Sequence, residues 1–148
     1  MRKKDKRKIF KTTDGYFTDR ADIKKPRRVA AIDQRRDDGA LAVVKIYSAK
    51  GKGGRRFVEK LILTPEKHSS LKEDSLVGNR VYLGIKTKDE KGQDTYKPIF
   101  RSDLESTDDK LKQSEYQKIK KGTKGITKQQ HKNHRDRMKK WHKHFKDK

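Results

Sequence analysis

The longest stretch of this chain that can be buried is Leu41–Ser48, with the sequence LAVVKIYS. Its β-branched and aromatic residues are typical of a pleated, half-buried strand, and its length is too short for most globular helices. A turn signal, Asp37-Asp38-Gly39, precedes it, and a glycine-rich basic segment, Lys50–Arg56, follows it. The pattern predicts the central strand of a small β domain, with any functional site near the end of that strand at Ser48.

Short apolar segments on either side predict further strands. Val29–Ile32 is expected to run into the turn and to pair with Leu41–Ser48 as a hairpin. Later strands are predicted at Arg56–Leu63, Arg80–Ile85 and Tyr96–Arg101, with a loop or single helical turn at Ser69–Gly78. Five short strands within about 75 residues, joined by polar turns, indicate a small barrel or a strongly bent sheet.

The C-terminal part of the chain has a helical period. Ser114–Gln117 and Thr127–Gln130 both have the Ser/Thr-x-x-Gln pattern of a capping box. The first predicts a helix that ends at Gly122, and the second predicts a helix that runs to about Lys146.

The second predicted helix is basic but carries a narrow apolar stripe. Met138, Trp141 and Phe145 lie at positions i, i+3 and i+7. This stripe is expected to pack against the body of the protein or a partner. Stacking of Trp141 and Phe145 on exposed nucleic-acid bases is the alternative.

Composition shows that the whole chain cannot pack around one core. Of its 148 residues, 28% are hydrophobic and 43% are charged. Such a composition predicts a compact middle with solvated ends. The expected division is a basic N-terminal arm at residues 1–25, a small β-barrel domain with a terminal helix at 26–121, and a basic C-terminal helix at 122–148.

The charge of the chain indicates a polyanionic partner. Lys and Arg number 43 against 21 Asp and Glu, which gives a net charge of +22. Nucleic acid is the commonest polyanion in a cell, and neutralisation of its phosphates by Lys and Arg is the main source of nonspecific affinity. An anionic membrane surface fits less well, because no long amphipathic helix with a broad apolar face is present.

Other classes of site are excluded or disfavoured by what the chain lacks. It has no cysteine, which rules out disulfides, thiolate catalysis and cysteine-bound zinc. No apolar run approaches the roughly 18 residues of a membrane span, and the N-terminus lacks the apolar segment of a signal peptide, so a soluble cytoplasmic protein is expected. Neither a metal nor a cofactor is expected, because no Cys or carboxylate completes a standard site around the C-terminal histidines, which are His131, His134, His142 and His144.

Basic side chains concentrate at three places that are candidates for contact with nucleic acid. Two arginine pairs flank the first predicted strand and supply bidentate donors for phosphate; they are Arg27 with Arg28 and Arg35 with Arg36. The glycine-rich loop contributes Lys50, Lys52, Arg55 and Arg56. The last helix contributes Lys139, Lys140 and the neighbouring Trp141.

The order of these segments resembles that of the PemK/MazF group of toxins. The resemblance covers about residues 26–121. It rests on the strand Arg28–Ile32, the strand end Val43–Ser48, the segment with Leu71, Asp74, Ser75 and Val77, and the helix Ser114–Lys121.

The resemblance implies a fold and an activity. Proteins of this group are Src-homology-3-like barrels, usually dimeric, that cleave single-stranded RNA without a metal. It therefore implies a mainly β protein with such a barrel, a homodimer, a protein antitoxin as partner, and catalytic roles for Arg27 or Arg28 and for Ser48. The attack of a ribose 2′-hydroxyl on the adjacent phosphate also needs a proton acceptor, which is left open among Asp33, Glu59 and His68.

Three hypotheses follow from the sequence. The first is an RNA-binding barrel of this kind, with metal-independent endoribonuclease activity implied. The second is a non-catalytic nucleic-acid-binding protein, since fold does not fix function. The third is an inhibitor or assembly factor of a nucleic-acid-processing complex.

Overall fold

The computed structural model describes residues 7–12, 27–51, 56–88, 91–123 and 128–146. These residues form the strands β1 (Lys8–Thr12), β2 (Arg28–Gln34), β3 (Leu41–Ser48), β4 (Ser75–Val77), β5 (Gly84–Lys88), β6 (Asp94–Pro98) and β7 (Leu104–Lys110), and the helices α1 (Gln113–Thr123) and α2 (Lys128–Lys146). Five strands form an antiparallel sheet in the order β4-β3-β2-β1-β7, and β5 and β6 form a separate hairpin. The protein is therefore mainly β, with two C-terminal helices.

The β2–β3 hairpin confirms the strongest sequence prediction, because β3 has the predicted bounds Leu41–Ser48. Gly39 takes φ +77° in the connecting turn, a conformation that favours glycine. Val43 and Val44 are both fully buried although they point to opposite faces of the sheet. Burial on both faces explains why this strand reads as a continuous apolar run instead of an alternating one.

Strand β1 corrects the prediction of a basic arm over residues 1–25. Lys8–Thr12 pairs with β2 on one side and β7 on the other, so it lies inside the sheet. Ile9 and Phe10 are fully buried, one toward each face. Lys and Arg residues flank this apolar pair, so the segment lacked the pattern of a strand in the sequence. The rest of the predicted arm, residues 1–6 and 13–25, lies outside the described part of the chain. The predicted division into three regions otherwise stays a prediction.

Several other strand predictions were wrong or displaced. The segment 56–63 makes only single bridges, at Phe57 and Leu63, and Lys60 interrupts it with φ +56°. Conversely, β4 lies inside the segment 69–78 that was predicted as a loop or helical turn. Strands β5 and β6 are shifted relative to the predictions at 80–85 and 96–101, and β7 was not predicted.

Apolar side chains cover both faces of the five-stranded sheet. One face packs on the loop segments and α1 through a cluster that includes Ala30, Val44, Leu63 and Ile119. The other face carries Val29, Val43, Ile99 and Leu104. Among the described strands, the edge strands β4 and β7 are not paired with each other, so this sheet is open and the predicted barrel closure is not seen.

The two helices lie where the capping patterns placed them, within a few residues. At the start of α1, the carboxylate of Glu115 accepts the backbone N–H of Lys112 at 2.7 Å, so the cap forms two residues before the predicted Ser114 box. The phenol of Tyr116 donates to the carbonyl of Ile32 at 3.0 Å and fixes α1 on β2. Neither helix of the described chain is long and apolar enough to cross a membrane.

Candidate functional site

Two of the predicted catalytic segments meet at one end of the sheet. Because β2 and β3 are antiparallel, the start of β2 and the end of β3 lie side by side, with Arg28 opposite Ile46. Ser48 in turn lies opposite Ser75 of β4. A cleft of about 280 Å³ opens here, termed the Arg28 cleft and lined mainly by Arg27, Arg28, Tyr47, Ser48, Glu73 and Ser75.

Arg27 and Arg28 approach this cleft from opposite faces of the sheet, as neighbours in a strand do. The guanidinium carbon of Arg27 lies 4.7 Å from the centre of the Tyr47 ring, in cation–π contact. Its backbone is held by Thr12 of β1, whose hydroxyl accepts the N–H of Arg27 at 2.9 Å. The strand that the sequence analysis missed therefore fixes the first residue of the site.

Arg28 carries the most unusual atom of the cleft. Its Nε is buried and has no hydrogen-bond partner among the described residues. A buried donor without a partner costs about 1–3 kcal/mol, and more when the group is charged. An anion bound in the cleft would satisfy this donor, and a phosphate suits the planar guanidinium.

Ser48 lines the cleft and carries a hydroxyl that can donate a hydrogen bond. Its oxygen accepts the backbone N–H of Lys50 at 3.2 Å, which leaves the hydroxyl hydrogen for a ligand. Across the cleft the hydroxyl of Ser75 donates to the carbonyl of Glu73 at 2.9 Å. Glu73 is the carboxylate that lines the cleft within the described residues, and its side chain lies 3.7 Å from the ammonium of Lys50.

A second cleft, of about 260 Å³, shares Tyr47 with the first. Its cations gather around Tyr82, with Nζ of Lys45 4.5 Å and the guanidinium carbon of Arg80 4.8 Å from the ring centre. Gly78 lies beneath Tyr47, where an added Cβ would be only 3.0 Å from the ring. The missing side chain therefore lets the backbone pass closely under this aromatic surface.

A third cleft, of about 160 Å³, shares Arg80 and Tyr82 with the second and extends to α2. Here Tyr96 lines the wall, and the guanidinium carbon of Arg137 lies 5.4 Å from its ring centre. Burial raises the pKa of Tyr96 to about 12, so its phenol stays protonated. Since neighbouring clefts share lining residues, the three clefts along Tyr47, Tyr82 and Tyr96 are together termed the tyrosine groove.

The three residues considered as proton acceptor lie away from the Arg28 cleft. His68 is fully buried, with its ring nitrogens 2.8 Å from Asp109 and 2.9 Å from Glu115. Burial by itself lowers the pKa of His68, but the hydrogen bonds and charges of the two carboxylates outweigh it and raise the pKa. Asp33 lies five residues along β2 from Arg28, roughly 17 Å away at strand spacing, and Glu59 does not line the cleft.

The other predicted binding residues are distributed over the surface. Arg56 lines the second cleft, and Lys50 lies at the edge of the Arg28 cleft with its side chain 88% exposed. Arg35 and Arg36 lie at the opposite end of β2, beside α2, and Lys139 is exposed on α2. Lys52, Arg55 and the side chains of Lys140 and Trp141 lie outside the described residues.

The sequence analysis did not assign roles to the groove tyrosines or to Glu73. Tyr47 was within reach of sequence reasoning, because the hairpin register alone places it beside Arg27. Tyr82, Tyr96 and Arg137 come together only through packing between distant segments. Comparisons with protein-family models, with curated proteins and with solved structures found no match to this chain.

Proposed function

We propose that this protein binds single-stranded RNA along the tyrosine groove, with one backbone phosphate held in the Arg28 cleft. The observation that carries the proposal is the buried Nε of Arg28, which has no partner among the described residues. A phosphate oxygen supplies the acceptor that this donor lacks. Ser48 and Arg27 add a neutral and a charged donor to the same phosphate.

The groove suits a single strand better than a duplex. Its tyrosines supply aromatic rings for contact with unstacked bases, and a Lys or Arg side chain lies over each ring and carries positive charge for the backbone. This alternation of aromatic and cationic side chains is how proteins bind single strands, whereas the bases of a duplex are already stacked on each other. The net charge of +22 supplies the long-range attraction for any polyanion.

Cleavage of the bound strand is the further activity that the resemblance to the PemK/MazF group implies. In that reaction the ribose 2′-oxygen forms a bond to phosphorus, the bond from phosphorus to the 5′-oxygen breaks, and the leaving oxygen takes a proton from solvent. Arg28 and Arg27 stabilise the charge on the phosphate, and Ser48 donates a hydrogen bond to it. Glu73 takes the proton of the 2′-hydroxyl, since it is the carboxylate within the cleft.

Binding without cleavage is the second candidate function. It is favoured by the ion pair between Glu73 and Lys50, whose side chains are 3.7 Å apart, because the carboxylate that would have to accept the proton already has a partner. The Src-homology-3-like barrel, the homodimer and the protein antitoxin remain further proposals that rest on the resemblance alone.

The deciding experiment combines a binding titration with a cleavage assay in excess EDTA. We expect the wild type to bind short single-stranded RNA with an affinity that falls steeply between about 50 and 200 mM salt. Arg28→Ala should reduce the slope of log affinity against log salt by about one, while Lys121→Ala, an exposed cation outside the groove, should change it less. An affinity that is flat in salt, or equal loss in the two variants, would remove the proposed site.

The cleavage arm separates the two candidate functions. Metal-independent cleavage predicts products with a 2′,3′-cyclic phosphate and a 5′-hydroxyl. Arg28→Ala should then slow single-turnover cleavage by about 100- to 1000-fold, and Glu73→Gln should slow it with little effect on binding. Binding without any cleavage across varied RNA sequences would leave the protein as a binding module.

A further inference from the structure

A second basic cleft lies at the opposite end of β2 from the Arg28 cleft. It has a volume of about 430 Å³ and is termed the α2 cleft, lined by Arg35, Arg36, Asp37, Lys128, His131 and Arg135. Seven residues of strand separate Arg28 from Arg35, which places the two clefts roughly 23 Å apart. Its walls come from two elements, the turn between β2 and β3 and the first half of α2.

Arg35 is fixed at the base of the α2 cleft. Its side chain is only 3% exposed, with Nη2 3.3 Å from Asp37 and Nε 3.3 Å from Asp38. Its Nη1 lies 2.5 Å from Nδ1 of His131. Because a guanidinium only donates, Nδ1 of His131 is the acceptor and the ring carries its hydrogen on Nε2. The pair therefore holds an imidazole donor in a set orientation at the cleft.

The charges around the α2 cleft are not balanced. Arg36, Lys128 and Arg135 are exposed and have no ion pair among the described residues. The carboxylate at the cleft, Asp37, already contacts Arg35. Like charges that converge on one opening repel each other, and a multivalent anion removes that repulsion while it uses their hydrogen-bond donors.

We propose that the α2 cleft binds adjacent phosphate groups, carried either by a nucleic-acid strand or by a free oligophosphate. Its volume lies within the range of ligand pockets, about 300–1000 Å³. Arg36 and Arg135 bind the outer phosphate oxygens, and Nε2–H of His131 donates to an inner one. The proposal does not rest on RNA binding in the Arg28 cleft, because the residues of the two clefts are entirely different.

The test uses two probes on the full chain at about 150 mM salt, where weak surface attraction is screened. One probe is tripolyphosphate and the other is a short single-stranded RNA. The readout is the imidazole NMR signals of His131, assigned with His131→Gln. We compare Arg36→Ala/Arg135→Ala with the control Lys121→Ala/Lys132→Ala, which removes the same charge from exposed positions outside the α2 cleft.

Tripolyphosphate should shift the His131 signals saturably in the wild type and in the control. Affinity should fall about 10- to 100-fold in Arg36→Ala/Arg135→Ala, since two charged donors are lost. It should stay unchanged in Arg28→Ala, which separates this cleft from the proposed RNA site. A response to both probes identifies a nucleic-acid strand as the source of the phosphates, and a response to tripolyphosphate alone identifies a free oligophosphate. His131 signals that move with neither probe, or equal affinities in the two double variants, overturn the proposal.

Discussion

Nε2 of His134, on α2, lies 2.9 Å from Oδ2 of Asp38, in the turn between β2 and β3. The other ring nitrogen of His134 lies 2.5 Å from the hydroxyl of Tyr96 on β6. The ring is 2% exposed, so a single imidazole joins the helix to both the sheet and the β5–β6 hairpin. In its neutral form the ring donates a hydrogen bond from Nε2 to the carboxylate and accepts one at Nδ1 from the phenol of Tyr96.

The docking of α2 should weaken as the pH falls. Burial lowers the pKa of His134 below its ordinary value of 6.5, although Asp38 acts in the opposite direction. The undocked ring therefore binds a proton at a higher pH than the docked ring does. The contribution of His134 to the docking of α2 is complete above about pH 6.5 and is lost as the pH falls through the lowered pKa of the docked ring. The protection factor of the α2 backbone against hydrogen exchange, which corrects for the intrinsic effect of pH on exchange, should thus be lower at pH 5 than at pH 7.5.

The control for this prediction is His134→Gln, which cannot titrate. We expect α2 in this variant to have a lower protection factor than in the wild type at pH 7.5, and that protection factor to lose most of its dependence on pH. His131 lies one turn away and its ring contacts Arg35, so the same measurement in His131→Gln shows whether this second imidazole affects the docking. Equal pH dependence in wild type and His134→Gln would show that another group controls the docking.

His68 should have the opposite dependence on pH. The carboxylates of Asp109 and Glu115 raise its pKa despite burial, so the folded protein holds this proton more tightly than the unfolded chain does. Its contribution to the free energy of unfolding is complete below about pH 6.5 and is lost as the pH rises through the raised folded value. Denaturant unfolding below about pH 6.5 and well above it measures this change in the free energy of unfolding.

Removing one of the two carboxylates tests the His68 cluster directly. Glu115→Gln should lower the free energy of unfolding by about 3 kcal/mol, because it leaves a buried charged group with half of its partners. The exposed Glu105→Gln on β7 is the control and should change stability by less than about 0.5 kcal/mol. Equal effects of the two substitutions would contradict a structural role for this cluster.

Gly84 determines how the end of the tyrosine groove packs. A Cβ at this position would lie 2.2 Å from Cζ of the Tyr96 ring, far inside contact distance. Gly84→Ala should therefore displace Tyr96 and loosen α2, which the tyrosine hydroxyl holds through His134. Tyr96→Phe is the comparison, since it removes the hydroxyl but keeps the ring. Faster exchange of the α2 backbone in both variants, with a displaced ring in Gly84→Ala only, is the expected result.

How far the sequence could predict this site depends on the distance along the chain between its parts. Arg28 and Ser48 meet because a hairpin with a recognisable turn brings them together, and such local pairing is readable from the pattern. The approach of His134 to Asp38 spans 96 positions and follows from packing that no local pattern encodes. Strand β1 was not predicted for a different reason. Charged neighbours surround the buried pair Ile9 and Phe10, so the segment does not stand out as apolar in the sequence.

The tyrosines of the groove should contribute to binding by stacking, which is separable from charge. Tyr82→Ala should weaken binding of single-stranded RNA by about 1–3 kcal/mol, the usual contribution of one stacked base. The slope of log affinity against log salt should stay close to that of the wild type, because no phosphate contact is removed. Ile62→Ala is the control, since Ile62 is a large apolar residue that is 59% exposed and lies outside the groove. The measurement is a binding titration at two salt concentrations. A loss of affinity in Tyr82→Ala no larger than in Ile62→Ala would mean that the RNA does not follow the tyrosine groove.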